Sequence, residues 1–265
     1  GFQHSHTINA SGGTDKSQYY FSLGFTDQKG IIRANDLRRY NVKGNLTQEV
    51  NKWIKVGLDI QANKSEISGW STNGSNSLSG AGYGAIAMLP NVPVYDANDP
   101  TGYNIDSQNR KALGRGGNDT YIDNSIPNIV WVLDQNKNTT ENLHVMANAF
   151  VEVQLPLKGL SYRMQGSENI SKVMSRTYWN PDSGDGYSYG GILDESYGNN
   201  RDWNWQNSLN YNASFGQHNI SATAVMEYTK SHYDYTEAEA EELSDTYFTK
   251  HNGRTLNRPT KCNRT

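Results

Sequence analysis

Residues 18–26 read QYYFSLGFT, with Tyr19, Phe21, Leu23 and Phe25 on one side and Tyr20, Ser22, Gly24 and Thr26 on the other. Side chains alternate across a strand, so this stretch builds one apolar wall and one small, polar wall. The pattern recurs. His6, Ile8 and Ala10 alternate with Thr7, Asn9 and Ser11; Tyr40, Val42, Gly44 and Leu46 with Asn41, Lys43, Asn45 and Thr47. Ile54 to Ala62 on even positions oppose Lys55 to Asn63 on odd ones, and Leu143 to Val153 oppose His144 to Gln154. Leu160, Tyr162, Met164 and Gly166, then Trp203, Trp205, Leu209, Tyr211 and Ala213, then Ile220, Ala222, Ala224, Met226 and Tyr228 complete the series. About eight strands fit the template. The 18–26 stretch has the length a tilted strand needs to cross a bilayer, roughly 9–11 residues. A soluble sandwich would cover the apolar wall with a second sheet, whereas a membrane barrel covers it with lipid.

The connections sharpen the choice. Residues 12–17, 47–52, 155–158 and 216–217 are short; 27–38, 64–142 and 171–201 are longer and fall between them. Short turns at one end and long loops at the other characterise outer-membrane barrels. The predicted fold is therefore all-β, an antiparallel transmembrane β-barrel portion of about eight strands with long extracellular loops. Leu23, Val56, Val151 and Ala224 are expected to face lipid, and Ser22, Lys55, Glu152 and Thr223 the lumen. Aromatic residues gather at the strand ends: Tyr19, Trp53, Tyr162 and Phe215 beside short turns, and Phe25, Tyr40, Trp203 and Tyr228 toward the long loops. Amphipathic rings settle at headgroup level, so two girdles are expected.

Composition removes several classes. Mean hydropathy is -0.80, and no apolar run is long enough for a transmembrane helix, which needs about 20 residues. A net charge of -3 gives no basic footprint for nucleic acid. The single cysteine, Cys262, excludes an internal disulfide and a cysteine metal cluster. The chain opens at Gly1 almost directly into a strand without a signal peptide, which leads to the expectation of a fragment of an exported protein. Residues 1–249 are read as partial barrel. Residues 250–265 form an atypical basic tail without alternation, either a loop or a reading-frame error.

Candidate chemistry is sparse. GYGAIA at 82–87 matches a dinucleotide pattern but follows a Ser/Asn/Gly loop rather than a strand, so a short helix over 80–89 halted by Pro90 is the better reading. Asp96, Asn98 and Asp99, and Asp182, Asp185 and Gly186, lack calcium-loop spacing and suit turns. Asp194 and Glu195 are neighbouring carboxylates on what reads as a Gly-rich loop, poorly placed to flank one glycosidic bond. His4, His6, His144, His218, His232 and His251 are scattered. No catalytic, metal or cofactor site is assigned. The long loops hold many aromatics beside Asn and Asp, Trp131 and Tyr197 among them. Trp70, Tyr83, Tyr95, Tyr103, Trp179, Tyr187 and Tyr189 are the candidate contacts for a polar ligand such as a sugar, with self-packing of the loops or contact with a partner protein as the alternatives.

Specific blocks carry a family resemblance. GGTDKSQYYFSLGFTDQKGII at 12–32, RYNVKGNL at 39–46, NKWIKVG at 51–57, PNVPVYD at 90–96 and LPLKGLSY at 155–162 resemble the barrel of SusC/RagA-type TonB-dependent outer-membrane transporters. The resemblance implies strands of a larger, 22-strand barrel occluded by an N-terminal plug. It implies a SusD-like surface lipoprotein as lid, the TonB complex acting through the missing N-terminal region, outer-membrane lipid around the wall, and no catalysis. Its substrates would be oligosaccharides or peptides. The alternative from the residues alone is a soluble all-β carbohydrate-binding or glycoside-hydrolase module.

Overall fold

The computed structural model describes residues 1–69, 81–106, 128–182, 184–243 and 261–264. It is one antiparallel meander. Strands β1 (Gln3–Gly13), β2 (Ser17–Lys29), β3 (Asp36–Glu49) and β4 (Ile54–Ser68) pair in order, followed by helices α1 (Ala81–Ala87) and α2 (Ile129–Gln135). The sheet resumes with β5 (Lys137–Gln154), β6 (Leu160–Trp179), β7 (Ile192–Phe215) and β8 (His218–Glu241). A short β9 (Lys261–Arg264), in the tail where no alternation is visible, pairs with Asp234–Glu237 of β8. All eight strands expected from alternation are present, and so are their short turns, down to the turn at 216–217.

The longer connections differ from expectation. The segment 171–201 is not a loop: β6 runs to Trp179 and β7 starts at Ile192, leaving 180–191 as the connection. Likewise 27–38 contracts to 30–35 and 64–142 to 69–136. The reason is that strands β7 and β8 have 24 residues each, more than twice the roughly 9–11 that a bilayer needs. Their upper halves are mostly polar and give no sustained alternation to read.

Register turns the two walls into continuous rungs. Leu46, Leu58, Ala149, Gly166, Trp205 and Tyr228 face one another on the apolar side. One residue along, Asn45, Asp59, Asn148, Ser167, Asn204 and Thr229 form the polar side. Asn45 donates to Asp59, Asn204 donates to Glu227, and Asn63 donates to Asn41 at 2.5 Å, so the polar wall is knitted by amides. The apolar wall has no protein layer over it among the described residues: Leu58 is 42% and Met226 70% exposed. Its one mid-band amide, Asn207, is satisfied by the Tyr162 hydroxyl at 2.6 Å, as a polar group facing hydrocarbon must be. Aromatic pairs mark the upper limit of the band: Phe25 with Tyr40 and Trp203 with Tyr228, each with centroids 5.2 Å apart. Above them the same face turns ionic, with Glu168 paired to Arg201 and Lys64 to Glu141.

On the polar side one glycine is a packing requirement. The Phe150 ring lies over Gly57, where an added Cβ would come within 2.1 Å of Cε1, and the Arg163 guanidinium stacks on that ring at 3.7 Å. A ring laid over a strand glycine rescues the gap left by the missing side chain. Gly57→Val must evict Phe150 and its cation–π partner, at a cost of about 1–3 kcal/mol. Thermal unfolding of the variant should show it, and Gly44→Val, with only one ring atom at 4.0 Å, should shift far less.

A buried hydrophobic cluster sits in the insert between β4 and β5, and Tyr178, Leu193 and Ala240 are buried at the upper ends of β6, β7 and β8. Ile105, Ile129, Trp131, Val132 and Leu133 form a buried cluster against which Ile32, Met88, Tyr103 and Trp179 pack. The seven-residue α2 is apolar on nearly every side and begins at Asn128, whose side chain caps Trp131 N at 3.3 Å.

Candidate functional site

Three polar devices order the insert, one within it and two that pin it to the long-loop end of the sheet. Asn128 donates to the Val94 carbonyl at 2.7 Å and so holds the 88–106 segment against α2. Asn136 accepts from the Asn180 amide at 2.8 Å, joining the end of α2 to the end of β6. Asp134 receives Arg33 Nε at 2.7 Å on one oxygen and the Tyr103 hydroxyl at 2.8 Å on the other, joining the β2–β3 connection to the insert. Burial raises the Tyr103 phenol above its ordinary value, reinforced by Asp134. The Arg33 guanidinium is raised first by its hydrogen bond with Tyr95 and then by Asp134. A raised phenol holds its proton throughout neutral pH, so on the alkaline side this junction weakens as pH climbs through the raised Tyr103 value.

The candidate aromatics separate into groups. Tyr95 and Tyr103 meet with ring centroids 5.4 Å apart and exchange an isolated β-bridge; Tyr95 is 58% exposed, while Tyr103 packs on the core. Trp179 also packs on that core. Tyr187 and Tyr189 are exposed on the 3-10 turn Gly184–Tyr189 that follows β6. Of Tyr83 only the backbone, on α1, is described, and Trp70 lies outside the described residues. Trp131 is 2% exposed, so for this tryptophan the self-packing alternative holds. Asp96 and Asp99 act as turn formers, accepting from Asn98 N at 2.9 Å and Thr101 N at 2.8 Å. GYGAIA forms α1 as expected; Gly84 lets that helix approach Ile129, whose Cγ1 would stand 3.2 Å from an added Cβ.

Asp194 and Glu195 require correction. They lie on β7, opposite Thr177 and Arg176, not on a loop. Glu195 is paired with Arg176 and the two acids point to opposite faces of the sheet. That arrangement cannot place two carboxyl groups across one glycosidic bond.

Below the insert, the polar wall is concave. A hollow of about 430 Å³ is lined by Asp59, Gln61, Met146, Asn148, Gln165 and Asn204 among others. Higher on the same face, Tyr233 and Tyr235 stand side by side. Reading the loops for aromatics missed this pair, because the alternation in β8 was followed only to Tyr228. The available signal was parity: both tyrosines share the polar face with Thr223 and Thr229.

No family model matches the chain. The TonB-dependent receptor P3 of Formosa agariphila is 30% identical over 83% of this chain and 21% of the relative. The TonB-dependent receptor SusC of Bacteroides thetaiotaomicron is 31% identical over 36% of this chain and 9% of the relative. Among solved structures, the RagAB peptide transporter superposes over 99% of this chain and 28% of that chain, with a TM-score of 0.72 and 20% identity. That likeness establishes the barrel fold. The chain spans about a fifth of the length of the two curated relatives that it matches over most of its own length, 21% and 22%. By name the curated relatives are TonB-dependent receptors and the solved neighbour is a peptide transporter.

Proposed function

This chain being a stretch of a SusC/RagA-type TonB-dependent receptor, we propose that it forms part of the wall of an outer-membrane importer. The observation that carries the reading is the two-faced meander itself. One face offers an uncovered apolar band edged by aromatic pairs, and the other an amide-lined concavity. Lipid satisfies the first and a water-filled or plugged lumen the second. A soluble carbohydrate module would need a second sheet over Leu58, Trp205 and Met226. An open sheet also leaves unpaired strand edges that lipid does not tolerate, so the reading requires further strands to close the barrel.

The insert and the tall strands would stand outside the membrane. There they would meet the ligand and a SusD-like lipoprotein lid, with TonB acting from the other side through a plug. The ligand class is an oligosaccharide or a peptide; the wall sets amide donors and acceptors beside Asp59 and Asp202, which suits either, a sugar through its many hydroxyl groups.

The test uses the full receptor that carries this sequence. Fractionation should recover it from the outer membrane, and a mild detergent pull-down should bring a surface lipoprotein with it. Deleting residues 70–123 should spare assembly and impair uptake of the cognate nutrient. Recovery in the soluble periplasm, or unimpaired uptake after that deletion, would overturn the reading.

A further inference from the structure

We propose that Tyr233 and Tyr235 form a platform that binds the ring faces of an uncharged oligosaccharide on the inner wall. The proposal rests on the importer reading and places a ligand contact on the sheet itself, below the loops.

The β7–β8 ladder is unbroken from Ile192↔Glu241 to Phe215↔His218, so no bulge re-aims either side chain. Both tyrosines therefore point to the polar side, away from the apolar band that ends at Tyr228. A headgroup-anchoring role is excluded for them, because lipid lies on the other face. Their rings are nearly parallel, 12° apart in plane with centroids at 6.5 Å. Tyr233 is 42% exposed.

The neighbouring strand β7 leaves room beside the pair, of which Tyr233 is exposed and Tyr235 half-buried. Gly198 faces Tyr235 across the ladder. A Cβ there would stand 3.7 Å from Tyr233 Oη and 3.9 Å from Tyr235 Cδ2, ordinary contact distances, so the two rings border the space a side chain would take. A larger side chain would project into that space. The absence of one keeps the ring surface open.

The surroundings name the ligand class. The two rungs that hold these tyrosines carry Asn200, Ser171, Asn63, Ser65 and Asn142, and their one permanently charged residue is Arg39, on β3. Asn200 is itself oriented by a 2.9 Å hydrogen bond to Asp202. An aromatic face takes up the C–H face of a pyranose, while neutral amides and hydroxyls exchange hydrogen bonds with its hydroxyl groups. An anionic ligand would be repelled beside Tyr235, where the next rungs of the same face carry Glu237 and Asp194, whereas the uncharged hydroxyl groups of a sugar can donate to these acids and to the amides alike. Two rings one strand repeat apart offer a surface longer than one sugar, which favours an oligosaccharide over a monosaccharide.

The experiment is titration calorimetry of the full receptor, purified in detergent, with maltoheptaose, laminarihexaose, xylohexaose and cellohexaose in turn. At least one should bind. Tyr233→Ala and Tyr235→Ala should each weaken it about tenfold, the scale of one lost aromatic contact. Tyr233→Phe and Tyr235→Phe should bind nearly as well as the parent, since the ring face makes the contact. Gly198→Leu should weaken binding, and Tyr228→Ala, on the lipid side, should leave it unchanged. Heat-modifiable gel migration checks that each variant has folded. Unaltered affinity in the Tyr233→Ala/Tyr235→Ala double variant would overturn the platform. Binding of a tryptic peptide pool with no binding of any sugar would overturn the carbohydrate assignment. Failure of the importer reading is distinguishable, because it would show as soluble recovery on fractionation whatever the calorimetry gives.

Discussion

Leu58→Arg should cost the assembled barrel about 2–4 kcal/mol, the price of a guanidinium near the bilayer midplane. Leu58 lies midway along the apolar run of β4 from Ile54 to Ala62 and is 42% exposed on that face, with Leu46 and Ala149 opposite it. Gln61→Arg, on the same strand but on the other face, enters the polar hollow that also contains Asp59 and Asp202. Its cost should stay within about 0.5 kcal/mol, as for ordinary surface substitutions. Urea titration of folding into detergent or lipid, followed by heat-modifiable gel migration, separates the two. Equal costs would remove the basis for assigning the faces.

Trp131→Ala should release the insert while leaving the strands paired. Trp131 is among the most deeply buried residues described and sits in the middle of the Ile105–Ile129–Leu133 cluster. Removing a buried Trp costs roughly 3–5 kcal/mol. Among the described residues the insert rests on that cluster and on the Asn128, Asn136 and Asp134 hydrogen bonds, so a loss of this size exceeds what a local unit can absorb. Limited proteolysis should cut the variant between β4 and β5 and spare the barrel, with uptake reduced to the level of the 70–123 deletion. Tyr187→Ala, on an exposed turn, should leave the protease pattern unchanged. A protease-resistant insert in Trp131→Ala would contradict this view of how the loop is held.

The membrane-crossing part of each strand was legible because lipid on one face and polar groups on the other write a period of two into the sequence. Residues 18–26 and 54–63 carry that signature without exception, and the structure places both in strands. Above the aromatic pairs both faces meet polar surroundings. Ser171, Lys172, Ser175 and Arg176 therefore look like loop although they are paired residue by residue with β5 and β7. The same effect hid Asp194 and Glu195 in a supposed loop and ended the reading of β8 before Tyr233. The apolar run IVWVLDQ behind Asn128 is a capped helix start, but at seven residues its period cannot be told from that of a buried strand. The pairing of Tyr95 with Tyr103, and of Arg33 with Asp134, depends on contacts between distant segments that no local pattern encodes.

The central claim is that one face of this sheet meets lipid and the other a lumen, and quencher accessibility of single spin labels tests it most directly. With Cys262 replaced by Ser, cysteines are introduced at Leu23, Leu58 and Met226 on one face and at Asn41, Gln61 and Asn204 on the other, in the full receptor in lipid bilayers. Labels in the first set should be reached by oxygen and shielded from a water-soluble nickel chelate. Those in the second should show the reverse or be shielded from both by a plug. Nickel access at Leu58 and Met226 comparable to that at Gln61 would contradict the account.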